Sequence, residues 1–117
     1  MVIALPYALM TAAPHRARDR GAAVVAAKGE IDLATAEALR NRITAALETH
    51  REVAVDLSAV TFIDCSGLRV LITARNQADR LGRSLTLRDP SRPVRRLLAA
   101  TRLDHTLRTR TQPPSPP

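Results

Sequence analysis

Aromatic residues are almost missing from this chain: one Tyr, one Phe and no Trp occur among 117 residues. Any core must therefore be built from Leu, Val, Ile and Ala. One cysteine, Cys65, rules out an internal disulfide. A disulfide-stapled secreted fold is excluded, and a reducing cytosol is the simpler compartment. No apolar run approaches the roughly 18 residues that span a bilayer. The apolar N-terminus has no basic stretch ahead of it and is broken by Pro6, which argues against a secretory signal. The four glycines, Gly21, Gly29, Gly67 and Gly82, match no phosphate-binding glycine loop. With one Cys and no two His close in sequence, a metal site is not expected.

Arginine and alanine are what the chain has in plenty. All but one of its 18 basic residues are Arg, and the net charge is +7. That charge is uneven: residues 1–27 carry +2, residues 28–87 are neutral, and residues 88–117 carry +5. A nucleic-acid reader would show a basic stripe interleaved with aromatics or a helix-turn-helix pattern. Neither is present, so no nucleic-acid partner is expected, and no membrane partner either. A length of 117 residues fits one domain with one continuous core.

Along the chain, apolar periodicity alternates between two and 3.6 residues. Ala22 to Ala27 reads as a strand stopped by Lys28-Gly29. A helix follows, with Thr35 as its expected N-cap and Glu37 in its first turn. Its apolar face is Ala36, Leu39, Ile43, Ala46 and Leu47. Val53, Val55 and Leu57 form the next strand, with Ala54 suggesting cover on both faces. A second helix runs from about Ser66 to Leu81, with Gly67, Val70, Leu71, Ala74, Ala78 and Leu81 as its stripe. Gly82 suits a left-handed stop. Leu85 to Arg88 is a third strand. Pro93 opens a third helix, lined by Val94, Leu97, Leu98 and Thr101. Thr106 to Arg110 would be an edge strand. Strand and helix units repeating at about 30 residues imply an α/β fold with parallel right-handed crossovers. The expected division is a leader at 1–8, one domain over 9–110 and a Pro-rich tail at 111–117.

The turn Asp64-Cys65-Ser66-Gly67 joins the second strand to the second helix, and three readings of it stay open. In the structural one, Asp64 or Ser66 caps the helix and Gly67 lets it pack closely on the sheet. In the second, Ser66 accepts a phosphate, which a helix N-terminus partly stabilises. The third is a reactive thiol at Cys65. A nucleophilic cysteine needs a base within hydrogen-bond reach, and His15, His50 and His105 all lie outside the motif. Asp32 and Asp64 both sit where strands hand over to helices, so the two turns can share one end of the sheet.

Three stretches carry a family resemblance: Gly29-Glu30-Ile31-Asp32-Leu33-Ala34-Thr35, Val55-Asp56-Leu57-Ser58 and Phe62-Ile63-Asp64-Cys65-Ser66-Gly67-Leu68. In order and spacing they resemble the STAS domain of bacterial anti-sigma factor antagonists of the sporulation and stress-response type. The resemblance covers roughly Ala22 to Thr109. It implies a mixed, mainly parallel sheet with helices packed on it, and a first strand at about Leu9 to Ala13. It further implies a non-enzymatic, cytoplasmic binding protein that regulates transcription by partner switching. Such a protein engages an anti-sigma factor that is also a serine kinase, and so frees the sigma factor. Phosphorylation ends the binding and a phosphatase restores it. The chain itself would need no cofactor, the kinase carrying ATP and Mg, and would be a monomer when free.

The family's usual phosphoacceptor is the residue directly after the motif Asp, and here that position is Cys65. Ser66 is the remaining candidate acceptor. The resemblance assigns partner binding to Asp32, Asp64, Cys65, Ser66, Gly67, Leu68, Arg69 and Ile72. A Gly67→Glu change is expected to abolish that binding and leave the fold intact. STAS domains also serve as accessory subunits of lipid- and anion-transport complexes, which is the alternative role.

Overall fold

The computed structural model describes residues 22–103, 107 and 109–110. Strand β1 (Ala22–Ile31) leads into helix α1 (Leu33–Thr49), β2 (Glu52–Ile63) into α2 (Cys65–Arg80), and β3 (Ser84–Arg88) into α3 (Arg92–Thr101). A two-residue strand β4 (Thr109–Arg110) closes the order. The sheet runs β1-β2-β3-β4, and every pairing among these strands is parallel. The strand expected near Leu9 to Ala13 lies outside the described residues, as do the leader and the Pro-rich tail.

One face of the sheet is apolar because alternate residues point the same way. Ala23, Val53 and Leu85 form one row across the three strands, and Val25, Val55 and Leu87 form the next. All six are buried, with Leu57 below them. The intervening Ala54 and Asp56 are only half-buried, so β2 is not closed in on both faces as its sequence suggested. Helices α1 and α2 pack on each other and on the strands that precede them. Ala36, Leu39, Ile43 and Leu47 of α1 and Val70, Leu71, Ala74 and Ala78 of α2 fill the core. Fully burying a leucine such as Leu47 or Leu71 contributes about 1.5–3 kcal/mol. Helix α3 packs on β2 through buried Val94 and Leu98, and the Ser91 N–H donates to the Leu57 carbonyl at 3.2 Å.

Helix α2 ends as its glycine predicts. Gly82 has φ +69°, its N–H donates to the Asp79 carbonyl, and the Arg83 N–H reaches back to the Ala78 carbonyl at 2.8 Å. That bond pair satisfies carbonyls the helix would otherwise leave open. Leu81, expected on the buried stripe, is exposed at this stop.

Strand β1 departs from expectation. It does not stop at Lys28-Gly29 but continues to Ile31 through two register shifts against β2. Lys28 pairs with Ala59 after Ala26 pairs with Asp56, and Glu30 pairs with Phe62 after Gly29 pairs with Val60. At each shift β2 supplies one extra residue, which is a bulge. Gly29 takes φ +76° there, a conformation glycine adopts at no steric cost. The bulges reset the alternation of β2. Past Leu57 the buried residues are Val60 and Ile63, three apart, and Phe62 turns outward. Asp56 supports the first bulge by accepting from the Ser58 N–H at 2.9 Å and the Ser58 hydroxyl at 2.7 Å.

Candidate functional site

Ile31 and Ile63 are register partners at the ends of β1 and β2. The residues that follow them, Asp32 and Asp64, are therefore neighbours at one end of the sheet. The Asp64 N–H donates to the Ile31 carbonyl at 3.2 Å and ties the two turns together. Each aspartate caps the helix it precedes. Asp32 Oδ1 accepts from the Ala34 N–H at 3.0 Å and the Thr35 N–H at 3.1 Å. Asp64 Oδ1 accepts from the Ser66 N–H at 2.9 Å and the Gly67 N–H at 3.2 Å. Two helix N-termini thus lie side by side, each with an acid spent on its own backbone.

The cap of α1 is Asp32 and not Thr35. Thr35 stands three residues on and completes a capping box by accepting from the Asp32 N–H at 3.0 Å. Its hydroxyl also donates to the Glu30 carbonyl at 2.8 Å. Both residue types cap helices well, and the sequence could not say which took the position.

Gly67 is held by contact. A Cβ there would meet Ile31 Cγ2 at 2.7 Å, Ile63 Cγ1 at 2.9 Å and the Ile31 carbonyl oxygen at 3.0 Å. The first turn of α2 therefore rests directly on the two strand ends. This corrects the expectation that Gly67→Glu would spare the fold: any side chain at this position must displace the strand ends. Leu68 is also corrected. It is 5% exposed and belongs to the core, so it supports the turn from beneath and offers no contact surface.

The other expected residues divide cleanly. Cys65 and Arg69 are exposed, while Ser66, Ile72, Asp32 and Asp64 are half-buried. The structure adds two residues. Leu33, the first residue of α1, is 80% exposed, and Phe62, just before Ile63-Asp64, is 48% exposed. Apolar residues at the end of a strand or the start of a helix read as core, which hid them in the sequence. Leu33 and Cys65 hold equivalent places, each directly after a capping aspartate. Leu33 and Phe62 both lie at the end of the sheet that carries the two turns, which makes them the candidate contact residues there.

The structure does not bring a base to Cys65. His50 is the C-cap of α1, at the far end of a 17-residue helix whose start borders the site. His15 and His105 lie outside the described residues. Among the described residues no group of three His, Cys, Asp or Glu is placed to hold a metal ion.

Paired parallel βα turns that present apolar and small polar side chains close one end of an α/β domain. The chain matches the family described as "Mlab, STAS domain" over residues 15–109, and it belongs to the STAS-domain family. An anti-sigma factor antagonist from Mycobacterium paratuberculosis is 31% identical, with a TM-score of 0.69 and 76% of each chain covered. The Thermotoga maritima protein TM1081 superposes with a TM-score of 0.71 at 20% identity, covering 80% of each chain. The unphosphorylated anti-sigma factor antagonist SpoIIAA gives 0.65 at 20% identity, covering 78% of this chain and 81% of its own. The last two likenesses concern the fold.

Proposed function

We propose that this protein is an anti-sigma factor antagonist, which acts by binding and does no chemistry itself. The observation that carries the reading is the 31% identity to an antagonist over three quarters of both chains. The exposed Leu33 and Phe62 beside Cys65 support it, because they give the paired turns apolar anchors for a partner. The docking surface is Leu33, Phe62, Cys65, Ser66, Arg69 and Ile72. Asp32, Asp64, Gly67 and Leu68 hold that surface in shape. The partner is an anti-sigma factor with serine-kinase activity, which carries ATP and Mg, and its capture releases a sigma factor for transcription. The antagonist is a cytoplasmic monomer when free.

Control by phosphate is the finer question. Cys65 fills the exposed first position of α2, and a serine kinase does not phosphorylate a thiol. Constitutive binding is the reading we favour. Phosphorylation of the half-buried Ser66, reversed by a phosphatase, is second, and oxidation of Cys65 is third. Incubation with the kinase and ATP followed by intact mass separates the Ser66 reading from the other two. No added phosphate removes the Ser66 reading, and phosphate lost only in Ser66→Ala establishes it.

Capture of the partner tests the surface. Leu33→Ser and Phe62→Ser are each expected to weaken the complex by more than about tenfold, the scale of an apolar anchor. Unchanged affinity in both variants would place the interface elsewhere. The family match is to STAS domains, and the second reading is the other role the resemblance implies, an accessory subunit of a lipid- or anion-transport complex. Co-purification of a transport ATPase instead of a kinase would establish that role.

A further inference from the structure

Helix α3 carries three of its four arginines against its own dipole. Arg92, Arg95 and Arg96 are exposed in its first half, where the helix N-terminus repels cations. No acid stands in its first turn and no base in its last. Arg102, exposed at the C-cap, adds a fourth guanidinium. None of the four forms an ion pair among the described residues. The other two helices each carry an ion pair, Arg40 to Glu37 at 2.9 Å on α1 and Arg75 to Asp79 at 3.6 Å on α2. Helix stability therefore does not explain Arg92, Arg95 and Arg96.

The rest of the helix is already committed. Val94 and Leu98 are buried, and Leu97 packs against the core. The Thr101 hydroxyl donates back to the Leu97 carbonyl at 2.7 Å. The outward face is left with guanidinium groups and the exposed methyls of Ala99 and Ala100. We infer that this face, through Arg92, Arg95, Arg96 and Arg102, is a docking surface for the anionic headgroups of a phospholipid membrane.

The features the face lacks select among polyanions. A protein interface seats its arginine and aromatic anchors in desolvated pockets, and the arginines of this face stand exposed. Base readout also uses arginine, bidentate to guanine, but beside Asn, Gln or stacked aromatics, and among the described residues this face offers arginine without them. A bilayer surface offers a plane of phosphates without shape, which scattered arginines match. The apolar stripe of α3 is spent on the core, so the contact is electrostatic and does not insert. No helix among the described residues is long and apolar enough to cross a membrane. Surface attachment is a different matter from spanning, and it revises the expectation from composition that no membrane is a partner. It is also independent of the paired turns.

Co-sedimentation of the full chain with vesicles tests this. One set is phosphatidylcholine with about a third phosphatidylglycerol, and the other is phosphatidylcholine alone. The protein is expected to pellet with the anionic set only and to be released at about 0.5 M salt, where screening is short-ranged. Each arginine near such a surface changes partitioning about fivefold, so R92Q/R95Q/R96Q should weaken it roughly 100-fold. Arg108 and Arg110 remain in that variant, so the loss reads α3. If the triple variant has no cooperative thermal transition, R95Q/R96Q replaces it, with a loss of about 25-fold. Pelleting with neutral vesicles, pelleting with neither set, or retention unchanged in the variant overturns the proposal. Duplex DNA of equal phosphate content that strips the protein from anionic vesicles also overturns it and assigns the face to nucleic acid.

Discussion

The two strand-to-helix turns solve one problem with different tolerances. Both begin with a capping aspartate whose Oδ1 accepts two backbone N–H groups, and both expose the next residue. They differ two positions further on. The α1 turn has Thr35, exposed and joined to Glu30 and Asp32 by its own hydroxyl. The α2 turn has Gly67, buried on Ile31 and Ile63. The first turn is held by redundant hydrogen bonds, and the second by fit. Redundancy tolerates substitution one member at a time, whereas a close fit tolerates none.

The sharpest way to break this comparison is at Gly67. Gly67→Ala should destabilise by about 1–3 kcal/mol, because its methyl meets backbone as well as side chains. The matching Thr35→Ala should cost about 1 kcal/mol or less, the worth of a hydrogen-bonding partner at an exposed turn. Urea unfolding of both variants checks the pair, and equal losses would erase the distinction. Next come the caps. Asp64→Ala should cost about 2 kcal/mol and Asp32→Ala about 1 kcal/mol, since Thr35 still bridges the first turn after its aspartate is gone. Calorimetric melting of the two in parallel reads the difference. The smallest expected change in stability is at the exposed first positions. Leu33→Ser and Cys65→Ser should each stay within about 0.5 kcal/mol of the unaltered protein, so a binding defect in Leu33→Ser cannot be blamed on unfolding.

The helices were legible because their stripes are regular, and the second stops at a glycine. Gly82 and the buried series from Val70 to Ala78 fall where periodicity put them. The strand ends were not legible. Lys28-Gly29 has the composition of a stop, yet here the glycine serves a bulge and the strand goes on. The bulges in β2 break the two-residue period between Leu57 and Ile63, so the orientation of Phe62 could not be read from alternation. The position of the site was visible in its acidic turns. Its apolar half was not, since Leu33 resembles any other leucine until its surroundings are known. Leu68 erred in the opposite direction: it adjoins the motif along the chain but turns into the core.

The hydrogen bond from Asp64 to Ile31, together with the seat of Gly67, has a consequence for how the surface comes into being. The α2 turn leans on a strand that precedes it by a whole helix, so it cannot acquire its shape while β1 and β2 are apart. Binding competence therefore arrives with the pairing of β1 and β2 and is lost only when that pairing opens. A partner that grips this turn grips only chains whose sheet has already assembled, and its occupancy reports the fraction of intact protein. Amide exchange at Asp64 should accordingly follow opening of the sheet and not fraying of the helix, placing the exposed turn in the most protected cooperative unit of the domain.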